Sequence, residues 1–142
     1  LVEILTVVAI IGLLAAIAVP NMIRSQTAAQ AGRYAHDVRV AMDSFMEFAL
    51  MNGQYPADTT PGIVPPGMEE FLRPLHWTAP TSLGGEWDWD RGVFGINAGV
   101  SVFGPTASMA ALEMVDAQLD DGDLTSGAFR ERAGGFVAII EP

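Results

Sequence analysis

Residues 1–19 read Leu1-Val2-Glu3-Ile4-Leu5-Thr6-Val7-Val8-Ala9-Ile10-Ile11-Gly12-Leu13-Leu14-Ala15-Ala16-Ile17-Ala18-Val19, and in this run only Glu3, Thr6 and Gly12 are not aliphatic. A helix of that length rises about 30 Å, the hydrocarbon thickness of a bilayer. The run therefore predicts a membrane-inserted helix. A cleaved secretory signal is the competing reading, but its apolar region is shorter and ends at a small-residue cleavage site. Here the chain continues through Pro20-Asn21-Met22-Ile23-Arg24 into more helical sequence. Pro20 lacks an N–H and its ring crowds the carbonyl of Ala16, so a kink or break is expected near residues 16 to 20. A carboxylate near the end of a membrane helix is costly unless it is paired or reaches the interface. Glu3 is thus either a functional group awaiting a cation or a residue resting among headgroups.

Working outward, the charges divide unevenly. The 142 residues hold 17 acids and 7 basic residues, all of the latter arginine, for a net charge of −10. Up to Val40, three arginines face only Glu3 and Asp37; beyond it, four arginines face fifteen acids. The acidity belongs to the second part of the chain. Such a surface repels phosphate backbones, which excludes nucleic acid as a partner of the bare subunit. With no cysteine, disulfide frameworks, thiolate metal sites and c-type haem attachment are excluded too.

From Met22 to Met51 there is no proline. At 100° per residue Tyr34, Ala35, Val38, Ala41, Met42, Phe45, Met46, Phe48 and Ala49 share one arc, with Arg33, Asp37, Arg39, Asp43, Ser44 and Glu47 outside it. This predicts an amphipathic helix continuous with the apolar one and stopped by Asn52-Gly53. Four prolines between Gly53 and Pro66 mark a surface connection. Pro66 to Leu72 reads as a short helix ended by Pro74. Glu86-Trp87-Asp88-Trp89-Asp90 alternates strictly, predicting a strand with tryptophans buried and acids on the solvent face. Val93 to Phe103 reads as a second strand or bent pair, and Phe136 to Ile140 as a final strand. Thr106 is a suitable cap for a helix from Ala107 to about Leu119. The fold class is α+β: a long kinked N-terminal α-helix packed on a small antiparallel β-sheet head. Its parts are residues 1–21, the apolar helix; 22–52, the amphipathic continuation; and 53–142, the acidic head.

Three candidate sites need weighing. Trp77, Trp87 and Trp89 make either a ligand platform or a core, and for Trp87 and Trp89 core is the reading adopted. Asp120, Asp121 and Asp123 make either a calcium loop or a helix-terminating turn; their spacing does not match an EF-hand, and the turn is the reading adopted, so no metal and no cofactor are expected. His36 and His76 have no evident nucleophile partner, and no phosphate-cradling loop or zinc motif is present, so no enzyme is expected.

The string from Leu1 to Pro20 resembles the N-terminal signature of mature type IV pilins and type II secretion pseudopilins, with glutamate, glycine and proline at the family's spacing. The likeness covers the first quarter of the chain or less. It implies that Glu3 matches the glutamate that pairs with a neighbouring subunit's N-terminal amine, and that Gly12 and Pro20 bound the segment that loosens in assembled filaments. Family members carry two residues, an aromatic or methionine and then a small polar one, before the leucine matching Leu1. Those two are not among the 142, so the methylated amine of the family is not placed. The resemblance also implies a homopolymer, residence in the inner membrane before assembly and at the cell surface after it, and a prepilin peptidase and pilus assembly machinery as partners. The leading expectation is the structural subunit of a pilus-like filament. A major pseudopilin of a type II secretion system is the alternative within the family, and a membrane-anchored binding module with a tryptophan face the alternative outside it.

Overall fold

The computed structural model describes residues 1–142. The apolar run and its amphipathic continuation form one helix, α1, Val2–Asn52, roughly 76 Å long. Pro20 lies inside it without interrupting it. The break considered for residues 16 to 20 is therefore absent; one missing N–H removes one backbone bond, and the bonds around it carry the helix through. The far end stops as the sequence predicts. Gly53 adopts a left-handed φ of 76°, and its N–H donates to the Ala49 carbonyl at 2.8 Å.

Four strands make one antiparallel sheet in the order β1-β2-β4-β3, with β1 Glu86–Arg91, β2 Ala98–Phe103, β3 Phe129–Arg132 and β4 Gly135–Glu141. Helix α2, Met109–Leu119, lies between β2 and β3 in sequence and packs on α1. The lower half of α1 supplies Ala31, Tyr34, Ala35, Val38, Ala41 and Phe45 as fully buried residues, with Met42 and Phe48 partly buried against them. Met46, at the margin of the predicted arc, stays exposed. Trp87 and Trp89 of β1 meet this stripe: Phe45 stacks on Trp89 with ring centroids 3.7 Å apart, and Tyr34 on Trp87 at 5.3 Å. Each such pair adds about 0.5–1.5 kcal/mol beyond its buried area. Burial pushes the Tyr34 hydroxyl far above the usual tyrosine range, and that hydroxyl has no hydrogen-bond partner.

Several local expectations are corrected. Residues Pro66 to Leu72 form turns rather than a helix, and Pro74 sits inside a 3-10 turn, Arg73–Leu75, instead of ending one. Proline fits the opening positions of a helical turn, where its missing N–H is not needed. The cap of α2 is Ser108, whose Oγ accepts from the Ala111 N–H at 3.3 Å, so Thr106 and Ala107 precede the helix. Val93 to Asn97 are the loop of the β1–β2 hairpin rather than strand, with Phe94 at a φ of 52°. Two of the three acids of the alternating strand, Asp88 and Asp90, are buried as well as both tryptophans, while Glu86 stays exposed.

The loop after α1 is tied down by the core aromatics. The Trp77 indole donates to the Ile63 carbonyl at 2.9 Å, and the Trp89 indole to the Pro56 carbonyl at 3.2 Å. The same loop lies along the outer edge of β1, where Gly62 N–H donates to the Trp87 carbonyl at 2.8 Å and Thr59 N–H to the Trp89 carbonyl at 3.5 Å. On the opposite edge, Glu131 N–H of β3 donates to the Leu124 carbonyl at 2.8 Å.

Candidate functional site

The upper half of α1 touches nothing else in the chain. Every residue from Leu1 to Gln26 is exposed, including Ile11, Leu13 and Ile17 at 60%, 68% and 62%. An 18-residue window of this helix has a mean hydropathy of 2.7 and no buried residue, so α1 is long and apolar enough to cross a membrane. Exposed apolar surface on this scale marks a lipid or protein contact, not a water-facing rod.

The three predicted assembly residues lie along this rod and are not brought together. By helical rise Glu3 and Gly12 are about 13 Å apart along the axis, and Gly12 and Pro20 about 12 Å. A Cβ at Gly12 would have no neighbour within 4 Å, so the position lies open to another chain. Glu3 takes part in none of the ion pairs, which join Arg33 to Asp37, Arg73 to Glu70, and Arg132 to Asp88 and Asp90. Arranged this way the residues do no chemistry within one molecule. They lie on an exposed apolar surface whose acidic group has no ion-pair partner within the chain.

The tryptophans are core. Trp77, Trp87 and Trp89 are 2%, 2% and 0% exposed, leaving no aromatic face for a ligand. His36 is exposed on α1, and His76 is exposed in a left-handed position after the 3-10 turn.

On the sheet face away from α1 lies a charged network that the sequence pattern assigned to solvent. Arg132 of β3 extends across the sheet to β1, where it donates to Asp88 Oδ2 at 2.5 Å and its Nε lies 3.3 Å from Asp90 Oδ2. Ser101 of β2 donates to the same Asp90 oxygen. The guanidinium is flanked by Phe94 and Phe103, its carbon 4.8 Å and 5.6 Å from their ring centroids. Asp88, Asp90 and Arg132 are 4%, 3% and 9% exposed. Two carboxylates share one cation, and Asp88 Oδ1 has no partner. Burial, then the neighbouring Asp90, pushes Asp88 up to about 6 against the pull of Arg132. Burial raises Asp90 as well, opposed by Ser101 and Arg132. The network floors a shallow cleft also lined by Asp58 and Glu86. Four carboxylates to one guanidinium make that cleft hostile to anions.

The Asp cluster is rearranged relative to expectation. Asp123 is absorbed in a turn, its Oδ1 accepting from Thr125 N–H at 3.0 Å and Thr125 Oγ1 at 2.6 Å, which lowers its carboxyl below the usual range. Asp116 takes its place: oxygens of Asp116, Asp120 and Asp121 lie within 4.8 Å of one another. Asp116 is fully buried and neither of its oxygens has a partner. Burial, then Asp121 and Asp120, raises its carboxyl above the ordinary value. Asp120 accepts from the Ala128 N–H, and Asp121 Oδ1 from the Asp123 N–H at 2.9 Å. Offering one oxygen each, the three carboxylates supply half or fewer of the six to eight oxygens that calcium takes.

Comparison with protein-family models, curated proteins and solved structures finds no match. The functional reading therefore stands on the exposed helix, its lone acid and the head it carries. Sequence reasoning missed Arg132, Ser101 and Asp116. A signal existed for the last, since Asp116 sits four residues after Leu112 and three before Leu119, inside the apolar arc of α2.

Proposed function

We propose that the chain is the structural subunit of a type IV pilus-like filament, held in the inner membrane by the first part of α1 and polymerised outside it through the same surface. The observation that carries this reading is a helix whose stretch up to Gln26 is all exposed and whose first 19 residues are almost wholly apolar, continuous with a folded acidic head. Such a surface has two covers, lipid and other copies of itself. Exchanging one for the other gains almost no hydrophobic free energy, because lipid tails are as apolar as leucine. Packing and polar pairing then decide assembly, and an unpaired Glu3 that meets a cation only in the polymer supplies both drive and register. Contact between unlike faces of identical subunits propagates as an open helix when the rotation between copies does not close a ring. The resemblance of Leu1 to Pro20 to pilin N-termini supports the same reading. The binding-module alternative loses its ligand face to the core.

Electron microscopy of cells expressing the chain at native level tests the proposal. Abundant surface filaments in the wild type, lost or scarce in Glu3→Ala with a folded head, are expected. Filaments seen only on overexpression would favour the short piston of a secretion system. An unchanged yield in Glu3→Ala would remove the role given to that carboxylate.

A further inference from the structure

The cleft over the Arg132 network has a volume of about 440 Å³, within the range of small-molecule sites. Four carboxylates line it, Asp58, Glu86, Asp88 and Asp90, against the single guanidinium, which leaves an excess of three negative charges. Arg132 is spent on one oxygen each of Asp88 and Asp90, and neither Glu86 nor Asp58 joins an ion pair. Asp88 is 4% exposed, yet its Oδ1 has no hydrogen-bond partner, and the buried Thr59 hydroxyl beside the same cleft has none either. Buried polar atoms are seldom left so. The other walls are apolar: Pro61, Val93 and the outer parts of Phe94 and Phe103, which are 46% and 41% exposed. Glu86 and Asp88 stand two residues apart on one face of β1, about 6.6 Å along the strand. A bare metal ion gains little from acceptors that far apart or from phenyl walls, and the three acids whose oxygens do converge lie elsewhere, at Asp116, Asp120 and Asp121.

We propose that this cleft binds a small linear diamine, with one ammonium donating to Asp88 Oδ1, the other paired with Glu86, and the alkyl stem lying against Phe94 and Phe103. An ammonium offers donors and no acceptor, which suits a cleft whose free charged groups can only accept. Two ammonium groups joined by four methylenes stand about as far apart as the two acids they meet. The rings add to the attraction, since a cation close to an aromatic face is held by its quadrupole. Asp88, pushed up to about 6, is mostly ionised at pH 7.5 and so accepts there. Arg132 opposes the ligand weakly, because Asp90 and Asp88 Oδ2 already surround its charge. The site is complete within one head and does not depend on whether copies polymerise.

Full-length chain in non-ionic detergent micelles, titrated in a calorimeter at pH 7.5 and constant ionic strength with diaminobutane or with butylamine, tests the site. The diamine is expected to saturate at one per head and to bind about fivefold more tightly than butylamine, the gain of one exposed ion pair. On Glu86→Gln, a change at an exposed residue, the two ligands should bind nearly alike, because the second ammonium has lost its partner. A diamine advantage that survives in this variant would overturn the placement. Asp88→Asn should weaken both ligands about tenfold while the melting temperature of the head does not fall. Unchanged affinity in a folded Asp88→Asn chain would overturn the role of Oδ1. Magnesium chloride at equal ionic strength is expected to leave the diamine bound; displacement would reduce the effect to a counterion atmosphere and overturn the site, as would the lack of any saturable binding.

Discussion

Replacing Arg132 with methionine removes the one cation of the buried network and keeps most of the stem that lies between Phe94 and Phe103. Asp88 and Asp90, 4% and 3% exposed, are then two buried carboxylates with no counter-charge. Removing one partner of a buried ion pair costs about 3–5 kcal/mol. In a head of this size that corresponds to a fall in melting temperature of roughly 10–20 °C. The pH dependence separates lost charge from lost packing. Asp88 titrates at about 6 in the folded head against an ordinary 3.8. A carboxyl raised by folding contributes stability that is fully present below the unfolded value and is lost as pH rises through the folded one. Without Arg132 both carboxyls rise further, so the deficit of the variant against wild type is largest at pH 7.5 and shrinks toward pH 4.5, where Asp88 is neutral. Unfolding of the full chain in detergent micelles, followed by the fluorescence of Trp77, Trp87 and Trp89, measures this at both pH values. A loss below about 1 kcal/mol at pH 7.5 would refute the account. So would an equal loss at the two pH values, which would assign the effect to the arginine stem.

Other perturbations read neighbouring parts of the head. Asp88→Asn removes the surplus carboxylate while leaving Arg132 with Asp90; stability at pH 7.5 is expected to hold or rise, and its decline between pH 4 and 6 to flatten in the same titration. Phe45→Ala takes away the ring stacked on Trp89 and should cost about 3–5 kcal/mol in urea unfolding. Gly85→Ala is expected to cost at least about 2 kcal/mol, because Gly85 has a φ of +73° and its Cβ would sit 2.3 Å from the Phe103 carbonyl oxygen. Asp116→Asn should raise the melting temperature at pH 7.5 by roughly a few degrees, since its raised carboxyl loses stability as pH rises through its own titration. EDTA should leave the wild-type melting temperature unchanged; a fall that calcium reverses would place a cation at Asp116, Asp120 and Asp121.

What was legible in the sequence was local and periodic. The long helix, its stop at Gly53, the stripe from Tyr34 to Phe45 and the tryptophan side of β1 follow from repeats of 3.6 and 2 residues that burial imposes on any chain. Three things were not legible, for one physical reason each. The acids of β1 alternate as a solvent face would, and only a partner 44 residues away turns that face inward. The four residues of β3, Phe-Arg-Glu-Arg, are too short and too charged to announce a strand, because their pairing is supplied by β4. Asp123 and Asp116 exchanged roles because Thr125 closes a turn on the former. Glu3, Gly12 and Pro20 were legible only as a pattern along a rod, and the structure leaves them exposed along that rod without a partner inside the chain.

The loop backbone that lies against β1, with its counterpart at Leu124 against β3, bears on how crowded copies behave. Under the proposed reading, a subunit accumulating in a membrane before use would bring many identical sheets to high local concentration, with their strands in one orientation. Bare strand ends of the ladder would recruit one another into an irreversible stack. Here the outward-facing carbonyls of Trp87 and Trp89 in β1 already accept from Gly62 and Thr59 N–H, and the outward-facing Glu131 N–H of β3 already donates to the Leu124 carbonyl. Sideways growth through the sheet is therefore closed off at these positions, which under the proposed reading leaves the helix as the route by which copies join and, equally, by which they part.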